Sequence, residues 1–272
     1  MENRDTIRSA QNPKIKQACR LKERGERDET GLFLIEGFRE VQRAAAGNVE
    51  LVALFVCYEF FLGVNEPALI EQIHAKGCEI FVCAPYIFEK LSYRDRPDGL
   101  VAVARQMRHG IPDLAKEVSR SKNPFLLVAE AIEKPGNLGS MLRSADAVAV
   151  DGVIVCDRCT DIYNPNVVRA SVGTLFTQPV IEAKGHETLL WLKEQKIKIV
   201  SATPHAEKEF TQVDLSGPVA IVVGTEQLGL TEGWMNACDL QVRMPMLGVA
   251  DSLNVATAAT LLLYEVLRQR RR

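Results

Sequence analysis

The sequence predicts an α/β fold in two domains, the second built on a mostly parallel sheet and preceded by a smaller α/β domain. Three observations predict it. Short apolar runs alternate with helical spacings along most of the 272 residues. A polar stretch with two prolines, HGIPDLAKEVSRSKNP at 109–124, separates two such alternations. Hydrophobic residues make up 47% and charged residues 25%, a balance that can fill a core in each half.

Taken in order, residues 1–30 cluster the basic side chains Arg4, Arg8, Lys14, Lys16, Arg20, Lys22, Arg24 and Arg27. Glu23, Glu26, Asp28 and Glu29 offset much of that charge, so the segment is a helical arm that is either solvated or in touch with phosphates. Strands are predicted at 32–35, 51–57, 80–83 and 100–104, with helices near 38–46, 66–76 and 85–91. This gives a first domain over 1–108, with 1–30 as its basic arm, and a linker at 109–123. In the second domain, 124–272, strands at 125–129, 152–156, 198–202, 219–223 and 240–243 alternate with helices at 137–149, 186–195 and 252–269. Such alternation implies a sheet covered on both faces, with ligands beyond the carboxyl ends of its strands.

Composition excludes several classes. No apolar stretch reaches the ~20 residues a bilayer span needs. The N-terminal MENRDTIRSAQNPKIK lacks an apolar signal core, so a soluble, cytoplasmic protein is expected. Seven cysteines, odd in number and scattered from Cys19 to Cys238, suit reduced thiols, several buried as small hydrophobes. Cys156 and Cys159 form a CxxC without a second ligand pair, and His74, His109, His186 and His205 are isolated, so no metal is expected. The net charge of −2 gives no sign of nucleic acid, and any basic surface must be local. Neither a GxGxxG nor a P-loop pattern occurs.

Three segments carry the chemistry. In EKPGNLGSMLRSADAVAV (133–150), Leu138, Met141, Leu142, Ala145, Val148 and Ala149 form one helical stripe. Asn137 is placed to cap that helix, and Arg143, off the stripe, leans back over Gly139 toward it. Alone, these would be a cap and a surface charge. In VAIVVGTEQLGL (219–230), an apolar strand runs into Gly224, where the backbone can approach a ligand, and Glu226 follows it. In RMPMLGVADSLNVATAATLLLYEVL (243–267), Pro245 and Gly248 bracket a loop, and Asp251 or Ser252 starts a helix apolar nearly all round. Ser252 and Asn254 then sit as polar groups at the mouth of a buried helix.

NLGSMLR, VVGTEQLGL and MPMLGVADSLNVATAATLLLYE, in that order and separation, resemble the three motifs of the SpoU/TrmH RNA ribose methyltransferases of the SPOUT class. NPKIK at 12–16, GLFLIEGFREVQRA at 31–44 and DGLVAVA at 98–104 resemble the ribosomal-protein-like substrate-binding domain of its ribosomal-RNA-directed members.

The resemblance implies a trefoil-knotted α/β catalytic domain that binds S-adenosylmethionine through its knot loops. On this chain Thr203, Gly224, Met244 and Leu253 would contact the cofactor. It implies methyl transfer to a ribose 2′-hydroxyl, in large-subunit ribosomal RNA rather than tRNA, with Arg143 at the hydroxyl and Asn137, Glu226, Ser252 and Asn254 around it. The same chemistry on tRNA, and a catalytically silent RNA-binding or ribosome-assembly factor, are the alternatives. Lys14, Arg39 and Arg169 are the residues expected to touch RNA, the last by its match to an arginine near the RNA backbone. A homodimer through the knotted domain is implied, with no membrane and no metal.

Overall fold

The computed structural model describes residues 6–47, 49–157, 160–225 and 227–271. The chain divides into two compact units, one of residues 1–107 with 161–177, the other of 108–160 with 178–272.

The first unit opens with two short helices, α1 (Pro13–Arg20) and α2 (Arg24–Thr30), in the basic arm. Pro13 takes the first turn of α1, and the Asn12 side chain accepts from the Lys14 amide. Then follow β1 (Leu32–Glu36), α3 (Phe38–Ala46), β2 (Leu51–Val56), α4 (Glu66–Ala75), β3 (Glu79–Val82), α5 (Pro85–Leu91) and β4 (Leu100–Arg105). The sheet order is β1-β4-β2-β3; β4 runs antiparallel to both neighbours and β2 runs parallel to β3. Leu34, Phe55, Val101 and Val103 from the strands pack with Ile15, Leu21, Ile87 and Phe88 in one core.

The second unit begins in the stretch expected as a connection. That stretch contains α6 (Ile111–Val118), with Pro112 in the first turn and Leu114 and Val118 buried. Next come β5 (Phe125–Glu130), α7 (Pro135–Ala147) and β6 (Gly152–Cys156). The chain then joins the first unit as α8 (Pro165–Ala170), which packs on β1. There the Asp161 carboxylate pairs with Arg27 at 2.7 Å, both almost fully buried. Tyr163 stacks at a tilt on Phe33, and its hydroxyl donates to the Met107 carbonyl.

Back in the second unit lie β7 (Val180–Ala183), α9 (Gly185–Glu194), β8 (Lys198–Ala202), β9 (Lys208–Glu209), β10 (Val219–Val223), α10 (Glu232–Ala237), β11 (Leu240–Arg243) and α11 (Val255–Arg270). The sheet order is β7-β6-β5-β10-β8-β11-β9, parallel throughout the described pairings. Leu126 and Val128 of β5 face a core with Leu114, Leu192 and Trp234, from α6, α9 and α10. Leu127 and Ala129 alternate to the other face and are equally buried, so α7 and α11, which pack on each other and on the sheet, cover that side. A parallel sheet is apolar on both faces for this reason. Its strands all end at one edge, where β5, β8, β10 and β11 deliver their loops.

Candidate active site

The loops at that edge enclose a cleft of about 780 Å³. Thr203 and His205 line it after β8, Gly224 and Leu228 after β10, and Met244, Ser252 and Leu253 after β11. The four residues expected to hold a cofactor are thus brought together, with Ser252. A small cavity of about 40 Å³ lies beside the cleft, lined by Ile132, Glu133, Lys134 and Asn137. Thr225, Gln227 and Val255 line both spaces.

Gly224 makes the cleft possible. A Cβ there would run into the Gly229 carbonyl and lie 2.7 Å from the Leu230 nitrogen, both backbone atoms that cannot step aside. The tight loop is closed by paired Thr225 and Gly229 backbone bonds of 3.0 Å, and Gly229 itself takes a φ of +70°. The loop is anchored from below by Glu130 at the end of β5. This buried carboxylate accepts from the Thr231 amide at 2.9 Å and from its hydroxyl at 2.7 Å. Ala131, the next residue, is held in the left-handed region at φ +51°, a strained backbone just before Ile132, which lines the small cavity.

Asn137 does not cap α7. Pro135, whose ring suits the first helical turn, moves the helix start forward, and the cap position falls on Lys134. The Asn137 side chain instead accepts at its Oδ1 from Asn254 Nδ2, 3.1 Å away. Asn254, rather than Asp251 or Ser252, caps α11: its Oδ1 accepts from the amides of Ala256 (3.0 Å) and Thr257 (3.4 Å). One side chain therefore caps a helix with its oxygen and reaches a second helix with its nitrogen. Next to this pair, α7 and α11 are tied by Ser144 and Thr260, whose hydroxyls are 2.7 Å apart.

Arg143 is exposed on α7, and its side chain has neither hydrogen bond nor ion pair among the described residues. Glu226 and Cys159 lie outside the described residues. Arg39 is exposed on α3 and Arg169 on α8, both in the first unit. Lys14, also there, pairs with Glu79 at 2.9 Å and lies over the Phe81 ring. His205 lines the cleft, which its isolation in the sequence gave no reason to expect. Lys134 lines the small cavity and Glu130 anchors the loop; for Glu130 a charged residue ending an apolar strand is the visible signal in the sequence. Among the described residues, no group of His, Cys, Asp and Glu could hold a metal ion. No helix there is long and apolar enough to cross a membrane.

Comparison with known proteins places this geometry. Residues 124–264 match the SpoU rRNA Methylase family, and residues 12–102 match the MRM3-like substrate binding domain. A crystal structure of an RNA 2′-O ribose methyltransferase is 42% identical, covers 97% of this chain and 98% of its own, and superposes with a TM-score of 0.83. The SpoU methyltransferase AviRb of Streptomyces viridochromogenes, solved in complex with the cofactor AdoMet, is 29% identical with a TM-score of 0.85, over 96% of this chain and 98% of that one. The 23S rRNA (guanosine(2553)-2′-O)-methyltransferase RlmP of Bacillus subtilis (strain 168) is 28% identical over 96% of this chain and 98% of its own. The second unit has the α/β fold of the SPOUT methyltransferases. The chain belongs to the SpoU rRNA methylase family.

Proposed function

We propose that this chain transfers the methyl group of S-adenosylmethionine to a ribose 2′-hydroxyl of large-subunit ribosomal RNA. The observation that supports this most is the meeting of Asn137 and Asn254, from two helices, beside a cleft lined by Thr203, Gly224, Met244 and Leu253. Two of the relatives named above are 2′-O-methyltransferases by name, one of RNA ribose and one of 23S rRNA.

The cleft fits the cofactor. Its volume suits a molecule of that size, Met244, Met246 and Leu253 offer apolar wall, and the Gly224–Gly229 turn brings bare backbone to its floor. S-adenosylmethionine supplies a methyl group on a sulfonium, already activated for attack by an oxygen. The chain's own residues align the attacking ribose and handle its proton. Arg143 holds the target phosphate and hydroxyl. A guanidinium is a permanent cation in a protein, so it polarises the O–H rather than taking the proton. Asn137 and Asn254 fix the nucleotide beside it with Ser252, and Glu226, outside the described residues, is assigned a catalytic part by the motif alone.

Residues 1–108 serve as the RNA-binding domain and 124–272 as the methyltransferase. Arg39, Arg169 and Lys14 meet the RNA backbone. For Lys14 this exchanges an ion pair half open to solvent, which is worth little. The chain works in the cytoplasm as a homodimer: Leu261 and Tyr264 stand 41% and 48% exposed on one side of α11, an apolar strip that a second copy would cover. β11 lies outside β8, and α11 packs against α7 and β10; a trefoil knot at this return is part of the reading.

The test uses methyl-labelled S-adenosylmethionine with total RNA and with ribosomal particles, followed by nucleoside analysis. Label in a 2′-O-methyl nucleoside of ribosomal RNA is expected. Label in tRNA alone would overturn the substrate class, and no cofactor binding at all would leave only an RNA-binding protein.

A further inference from the structure

A surface loop of the first unit, 92–98, is held by far more buried charge than a connection between α5 and β4 requires. The Glu36 carboxylate accepts from the Ser92 hydroxyl and from the Tyr93 amide, the latter at 2.6 Å. The Arg94 guanidinium donates to the Glu36 carbonyl (3.0 Å) and to Glu40 (2.7 Å), and it pairs with Asp98 at 3.3 Å. Asp98 in turn accepts from the Phe38 amide at 3.0 Å, tying the loop to the start of α3. Glu36, Glu40 and Asp98 are all buried, and burial raises the Glu40 carboxyl above its ordinary range in spite of Arg94. Gly37, at φ +113°, leaves the space that Arg94 and Glu40 fill.

Buried charge is an expensive way to close a loop and is weak evidence for stability. Arg94 Nε and Asp98 Oδ1 are even buried without a hydrogen-bond partner among the described residues. What the cluster does secure is geometry. It fixes the Tyr93 backbone while leaving the Tyr93 side chain 42% exposed. Lys22 lies over one side of that ring, 5.9 Å from its centroid, and is itself pinned by the Lys90 and Ser92 carbonyls at 2.9 and 2.8 Å. Arg96 is exposed on the same loop, and Arg39 is exposed just after Phe38. Tyr58, 40% exposed, follows Cys57, whose amide donates to the Gly99 carbonyl at the loop's end.

A fixed, half-exposed aromatic ring beside a pinned lysine, on a loop that also carries an exposed arginine, matches an unpaired nucleotide, whose base stacks while its phosphates meet the cations. We propose that Tyr93 is a stacking platform for an unpaired base of the RNA, with Lys22, Arg96 and Arg39 holding the flanking phosphates. The inference rests on the RNA reading above and gives it a form: the first unit selects single-stranded nucleotides near the target, not a duplex.

The test measures binding of the full chain to a short labelled single-stranded RNA and to a blunt duplex of equal length, by fluorescence anisotropy. Tyr93→Ala should weaken the single strand roughly 5- to 100-fold. Tyr93→Phe should bind as the unmodified chain does, and Arg96→Ala should reduce the salt slope by about 1. With ribosomal RNA as substrate, Tyr93→Ala should raise KM and leave kcat and cofactor affinity unchanged. Equal single-strand binding by Tyr93→Ala and the unmodified chain overturns the proposal and leaves the surface to a protein partner. Equal loss on single strand and duplex also overturns it, since charge rather than stacking would then be at work. If the unmodified chain binds single strands through Tyr93 yet methylates no RNA, the proposal stands and the proposed activity falls.

Discussion

Asn254 joins two tasks that a pair of substitutions separates. Its oxygen caps α11 and its nitrogen holds Asn137. Asn254→Ala removes both. Losing an N-cap costs about 1 kcal/mol, and losing the hydrogen bond to Asn137 about a further 0.5–1 kcal/mol. A folding unit of about 150 residues shifts its midpoint by roughly 2–4 °C per kcal/mol, so the second unit should melt about 3–8 °C lower. Asn254→Asp keeps an oxygen for the amides of Ala256 and Thr257 and adds a negative charge at a helix N-terminus, where it is favourable. It loses the nitrogen donor and turns a carboxylate toward Asn137 Oδ1, and the two oxygens repel. The aspartate chain should therefore melt within about 2–4 °C of the unmodified one, less than ~1 kcal/mol away. Its methyl transfer should nevertheless fall about 10- to 100-fold through a displaced Asn137. Thermal unfolding by circular dichroism and label transfer to ribosomal RNA read the two effects. If Asn254→Asp is as unstable as Asn254→Ala, the cap is not what holds α11. If it is stable and fully active, the Asn137 bond has no part in the site.

Four further outcomes follow from the geometry. Arg143→Lys should lower turnover at least about 10-fold with cofactor affinity intact, because lysine cannot reproduce the planar fork; near-normal turnover would sink the assigned role. Gly224→Ala should fold but lose about 10-fold or more in cofactor affinity by titration calorimetry, since its Cβ meets the Gly229 backbone. Arg27→Met strands Asp161 in the core and should cost roughly 3–5 kcal/mol in urea unfolding. Adding Asp161→Leu should restore most of it; a near-neutral single variant would show that the pair contributes nothing. Burial pushes the thiols of Cys57, Cys83 and Cys156 up to about 12, so they stay protonated and unreactive through mildly alkaline pH. Iodoacetamide labelling of the folded chain, mapped by mass spectrometry, should spare all three.

Much of the fold is legible because its signals are local. The apolar runs at 125–129, 152–156 and 219–223 read as strands, and their alternation with helices reads as a parallel sheet. Helix ends are less legible. Asn137 has the residue type of a cap, but Pro135 two residues earlier is the stronger starter. Asn254 lost to Asp251 and Ser252 in the sequence because all three are good caps, and only the structure shows which oxygen faces free amides. α6 was hidden by Pro112, read as a breaker although it stands where a helix tolerates it. β7 and α8, of four and six residues, are too short for a period to show. Of the site, the residues that line the cleft came from motif resemblance; the Glu130 tie to Thr231 joins residues 101 apart, and no spacing could reveal it.

The excursion 161–177 has a consequence for how the protein is made. The first unit is not a continuous stretch of chain: its Phe33 and Arg27 await Tyr163 and Asp161. Translation at roughly 5–20 residues per second brings these partners several seconds after Met107. Until then Arg27 is a cation without its counter-ion, and the nascent first unit must wait in an open state. Splitting the gene after residue 107 would make that wait permanent for both halves, leaving one with an unpaired arginine and the other with a stranded aspartate.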